Sequence, residues 1–141
     1  LAYAIKANKV EFSPLPENKR HIAVHIPCSL KNSLKEENYL FECLAHIPDI
    51  HLSRLNDDFC CGAAGSYMLK YPDIANQLLD KKIDEIAGKQ YSTIVSSNIG
   101  CTLHFKQGLK KHPLLSKKRA EQELDVIHPI RLLARQLVIN S

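Results

Sequence analysis

The stretch HIAVHIP, residues 21–27, is a short β-branched apolar run closed by a proline, and it reads as a buried strand. Outward from it the chain alternates. Ser33 and Glu36 form a capping box, and Leu40, Phe41, Leu44, Ala45 and Ile47 then recur at helical spacing, which predicts an amphipathic helix. IHLSRL (50–55) is a second, weaker strand that runs into DDFCCGAAGS (57–66). A second helix has Pro72 in its first turn and Gly88 just past its end, with Ile74, Leu78, Leu79, Ile83 and Ile86 as its predicted inner face. STIVSSN (92–98) is a third strand, and Cys101 to about Lys111 a third helix weakened by Gly108. LDVIH (124–128) is a fourth strand, and Pro129 opens a last helix with Ile130, Leu133, Ala134 and Leu137 on one side. This alternation predicts an α/β fold: a small parallel sheet of about four strands, joined by right-handed crossovers and covered by helices.

The 141 residues, 45% apolar and 24% charged, suit one globular core. No run approaches the roughly 20 apolar residues of a membrane span, and no signal-peptide pattern is present; the expectation is a soluble, cytoplasmic domain. Residues 1–20 read as the end of a helix (LAYAIKAN) and a turn-rich linker (SPLPENK, 13–19) from an upstream region of a longer protein, and 21–141 as the domain. Net charge is +4, and from Ile86 to Ala120 there is no carboxylate, whereas Lys89, Lys106, Lys110, Lys111, Lys117, Lys118 and Arg119 fall in that window. Aromatic residues are not interleaved with these charges as nucleic-acid binding requires. The window therefore reads first as a solvated face, with docking on an anionic partner or membrane surface as the alternative and nucleic acid not expected.

Five cysteines, Cys28, Cys43, Cys60, Cys61 and Cys101, in a chain with cytosolic character argue against a disulfide framework and for metal or redox chemistry. Cys28 follows the first strand, Cys60 and Cys61 the second and Cys101 the third, while His128 ends the fourth. In an open parallel sheet these positions share the carboxyl edge, where ligands of α/β proteins bind. Cys43 falls mid-helix and reads as a small buried hydrophobe. Gly62, Ala63, Ala64 and Gly65 keep side chains away from the paired thiols and let main-chain amides approach anionic sulfur. Asn98–Gly100 turns the chain into a helix whose N-terminus favours a thiolate at Cys101. His104, three residues on, offers a further donor or a histidine packed beside the site. No C-x2-C pair is present, so the zinc-knuckle and bacterial-ferredoxin spacings are excluded.

The arrangement C-x31-CCG-x38-C-x2-H resembles the cysteine-rich CCG domain family, whose pattern ends in C-x-x-C. Cys28, the Cys60-Cys61-Gly62 run and Cys101 match; His104 stands where the family has its last cysteine. The phrases VHIPCSLKN, FCCGAAGSY, IVSSNIGCTLH and VIHPIRLL look most like the C-terminal CCG module of glycolate oxidase iron-sulfur subunits, and related modules occur in heterodisulfide reductases and lactate-utilisation proteins. The resemblance implies metal ligation by Cys28, Cys60, Cys61 and Cys101, holding an iron-sulfur cluster such as 4Fe-4S, with zinc as the alternative. It further implies a non-catalytic electron-transfer module of an oxidoreductase complex. Such a module takes electrons from flavin-containing subunits that oxidise a 2-hydroxy acid and passes them to a quinone-type acceptor, in the cytoplasm or peripherally on the inner membrane. Two other readings stay open: a thiol enzyme with His104 or His128 as base, and a structural zinc module that docks through the basic window. The first leaves the convergence of four thiols without a reason.

Overall fold

The computed structural model describes residues 10–27, 34–55, 61, 67–112, 115–117 and 124–138. After a two-residue strand, Glu11–Phe12 (β1), comes His21–His25 (β2), in which Ile22 to His25 are all buried. Strand β2 pairs in parallel with His51–Arg54 (β3) on one side and Thr93–Ser96 (β4) on the other, and β4 pairs in parallel with Asp125–Ile127 (β5). The sheet order is thus β3-β2-β4-β5. Helix Leu34–Ala45 (α1) follows β2. A single turn, Tyr67–Lys70 (α2), and the helix Pro72–Ala87 (α3) follow β3, Ile99–Lys111 (α4) follows β4, and Pro129–Gln136 (α5) follows β5. The expected α/β architecture is the observed one. Ser33, the start of the expected capping box, lies outside the described residues.

Because both faces of the sheet are covered, β2, β4 and β5 are buried along most of their length on both sides, whereas the edge strand β3 is half-buried in its middle and exposed at its ends. Ala23, Ile94 and Val126 join Leu79, Ile83 and Ile86 of α3 and Phe105 and Leu109 of α4 in one core layer. Ile22, Val24, Val95 and Ile127 join Leu44 of α1 and Leu132 and Leu133 of α5 in the other. A four-residue or five-residue strand buried this way carries no period of two, and its short apolar run is the signal that identifies it.

Two helix faces differ from expectation. The buried positions of α3 are Ala75, Leu79, Lys82, Ile83 and Ile86, whereas Ile74 is 47% exposed. Position 74 lies about 100° around the helix from Ala75, and the seam is set by α4 rather than by the hydrophobic residue nearest the N-terminus. In α5 the buried residues are Pro129, Leu132 and Leu133, while Ile130 and Ala134 are exposed. That helix is tied at its end by a ribbon that no sequence pattern announces: Leu137–Val138 (β6) pairs antiparallel with β1. The amide of Ser13 donates to the Gln136 carbonyl at 2.7 Å, and Phe12 and Leu15 are buried against the α1–α5 layer. Strands of two residues are below the length at which periodicity can mark them.

Gly108 also has a packing role. A Cβ there would lie 2.8 Å from Leu79 Cδ2 and 3.0 Å from Ile83 Cγ1. The residue that lowers helix propensity is what lets α4 close on α3. Among the described residues no helix is long and apolar enough to cross a membrane.

Candidate metal centre

In this order β2 lies between β3 and β4. The helix after β2 covers one face and the helix after β4 the other, so the chain changes sides of the sheet between these two neighbouring strands. Such a topological switch point is where doubly wound sheets bind ligands. Three sequence segments supply donors to it. β2 ends in His25, the segment after β3 brings Cys61, and Cys101 sits in the first turn of α4.

The local chemistry of α4 fixes Cys101. Asn98 is the N-cap in extended conformation, and its Oδ1 accepts from the Cys101 amide at 3.1 Å. The Asn98 carbonyl oxygen accepts from the Thr102 hydroxyl at 3.0 Å. The side chain of Cys101 therefore leaves a helix start whose free amides and dipole favour negative sulfur. Cys101 and Cys61 are both buried, 7% and 1% exposed, and their Sγ atoms are 3.3 Å apart. Neither is in a disulfide.

One potential donor atom each from His25, Cys61 and Cys101 lie within 4.8 Å of one another, and all three residues are buried. His25 Nδ1 is 3.0 Å from Ser96 Oγ, across the β2–β4 register that sets these residues side by side. The ring also meets Phe105 edge-on, with centroids 4.9 Å apart. Two soft sulfurs and an imidazole, enclosed and held from several elements, form a donor set suited to zinc or an iron-sulfur cluster and not to a hard cation.

Of the four cysteines expected at the site, Cys61 and Cys101 are brought together; Cys28 and Cys60 lie outside the described residues, as do Gly62 and Gly65. Cys43 is on α1, half-buried in the opposite core layer, away from this edge. His104 is buried beside α3, with Nε2 3.4 Å from the Ala75 carbonyl, and it is not in the three-donor group. Its Nδ1 is buried with no hydrogen-bond partner among the described residues. His128 is exposed and caps α5, its Nδ1 accepting from the Ile130 amide at 3.1 Å. The exposed Lys110 and Lys111 end α4 at the edge of the sheet opposite the thiols. His25 is the site residue that the strand pattern concealed. Its signal is the H-x-x-C spacing to Cys28 at the end of a buried strand, a mirror of the C-x-x-H at Cys101.

The sequence profile of the CCG cysteine-rich domain matches residues 22–106. The glycolate oxidase iron-sulfur subunit of Escherichia coli is 37% identical over 93 residues, covering 61% of this chain and 21% of that protein. An uncharacterized iron-sulfur protein of Methanocaldococcus jannaschii is 27% identical over 126 residues, 89% of this chain and 24% of that one. Lactate utilization protein A of Shouchella clausii is 26% identical over 82 residues, 57% of this chain and 34% of that one. The chain thus corresponds to 21% to 34% of the length of these relatives. No solved structure matches it. The profile match spans β2 to α4, the segment that carries every donor described above, and the chain belongs to the CCG cysteine-rich domain family.

Proposed function

We propose that this chain is the iron-sulfur module of a complex that oxidises a 2-hydroxy acid, of the glycolate oxidase or lactate-utilisation kind. The observation that carries the reading is the meeting of Cys61 and Cys101, 3.3 Å apart and buried at the switch point. Thiolates select iron-sulfur clusters or zinc, and the relatives described above are named as iron-sulfur or lactate-utilisation proteins. Cys28, Cys60, Cys61 and Cys101 hold the group, and the Asn98 cap keeps Cys101 in place. A bound cluster of the 4Fe-4S type supplies one-electron transfer.

The chain's own residues hold the cluster in a water-poor pocket and bring main-chain amides to its sulfurs, which with burial sets the potential. The domain alone carries out no substrate chemistry. Electrons come from flavin-containing partner subunits and leave toward a quinone-type acceptor, with the assembly in the cytoplasm or peripheral on the inner membrane. Anaerobic purification followed by visible spectroscopy and metal analysis tests the proposal. Brown protein with iron and acid-labile sulfide supports it; stoichiometric zinc without sulfide replaces it with a structural role, because zinc has no redox chemistry here.

A further inference from the structure

We infer that His25 is a nitrogen ligand of the centre bound by Cys61 and Cys101, with Ser96 as its positioning residue. The inference rests on the reading of this site as a metal centre and assigns it a donor outside the cysteine pattern. His25 is 3% exposed at the end of a central strand, and a ring nitrogen lies within 4.8 Å of both sulfurs. An imidazole buried so deeply needs a use for both nitrogens. Ser96, itself fully buried, faces Nδ1 at 3.0 Å from the neighbouring strand. With the serine oxygen accepting from Nδ1–H, the ring is locked in the tautomer whose Nε2 lone pair serves a metal. Metal-bound histidines are almost always oriented in this way through the other nitrogen. Phe105, edge-on at 4.9 Å, holds the ring plane.

The same geometry explains the departure at His104. A histidine standing at the last cysteine position would be the natural substitute donor, yet His104 turns to the Ala75 carbonyl on α3 and stays out of the three-donor group. The nitrogen comes instead from the end of the neighbouring strand β2. An imidazole is neutral where a thiolate carries a charge, so a centre with this ligand is easier to reduce than an all-thiolate one, as histidine ligation does in other iron-sulfur centres.

The test is pulsed EPR on the anaerobically purified, metal-loaded chain in its paramagnetic state, with natural-abundance and 15N-labelled histidine; cobalt(II) is the probe if the native metal is zinc. The expected result is a strongly coupled nitrogen that changes with the label, persists in His104→Gln and disappears in His25→Gln. Ser96→Ala is expected to keep the coupling with altered strength and to lower metal affinity about 10- to 100-fold. A metal-loaded chain without histidine coupling overturns the inference and leaves the metal centre standing, as does a coupling lost in His104→Gln. A chain that holds no metal when purified anaerobically overturns both. If His25→Gln fails to fold, the labelled wild type and His104→Gln still decide the question.

Discussion

Cys61 and Cys101, 40 positions apart in the chain, bring their buried sulfurs to 3.3 Å beyond the carboxyl ends of the strands. In the proposed centre the two sulfurs share the bound ion or cluster, so removing either one removes a ligand. Cys61→Ser is expected to lose most of the bound metal. Cys43→Ser, on α1 and in the opposite core layer, is expected to keep it. Metal content per chain, measured on both variants side by side, is the check; equal retention would remove Cys61 from the ligand set.

The position of Cys101 depends on Asn98. Its side chain caps α4 by accepting from the Cys101 amide at 3.1 Å. Asn98→Ala is expected to cost about 1 kcal/mol of stability through the lost cap, and to speed release of metal to a chelator. Asn98→Asp keeps an acceptor at the same place and is expected to retain the stability. Denaturation midpoints and chelator kinetics of the two variants separate capping from a general defect; an Asn98→Ala protein as stable as the parent would count against the cap.

The four parallel strands, though not their order in the sheet, and the carboxyl-edge position of Cys61 and Cys101 were legible because short apolar runs ending in Pro, Asn or His mark parallel strands, and because parallel strands put their following segments on one edge. His25 was not. A histidine inside HIAVHIP reads as strand, and only the β2–β4 register, which sets it beside Ser96, shows that it faces Cys61 and Cys101. The β1–β6 ribbon was hidden for a different reason: it joins Phe12 to Leu137 from opposite ends of the chain, and neither dipeptide carries a pattern of its own. Helix faces were legible only to within one residue. Apolar residues at adjacent or near-adjacent positions, Ile74 and Ala75 or Ile130 and Leu132, leave the rotation to the neighbouring element.

That rotation can be checked by truncation. Leu79 is 2% exposed between α3 and α4, whereas Ile74 is 47% exposed. Leu79→Ala is expected to cost about 2–5 kcal/mol by lost transfer free energy and the cavity left behind. Ile74→Ala is expected to stay within about 0.5 kcal/mol, as for surface positions. Urea denaturation of the two variants measures both; similar losses would mean that α3 is rotated toward the face the apolar pattern first suggests.

Gly108 sets opposing effects against each other on α4. Alanine there gains about 1 kcal/mol of helix propensity over glycine. Its Cβ, however, would stand 2.8 Å from Leu79 Cδ2, 3.0 Å from Leu79 Cγ and 3.0 Å from Ile83 Cγ1. A terminal methyl could swing away at little cost, but Leu79 and Ile83 are 2% and 3% exposed and packed between two helices and the sheet. Overpacking of this kind costs about 1–3 kcal/mol. The clash outweighs the gain in propensity, because Leu79 Cγ cannot move without the rest of its side chain. Gly108→Ala is expected to be destabilising by up to about 2 kcal/mol, with a lowered denaturation midpoint and an unchanged m-value. Pairing it with Leu79→Ala makes room for the new methyl, so the double variant is expected to be more stable than the sum of the single effects predicts. Strict additivity in that cycle would show that α3 and α4 do not meet at Gly108.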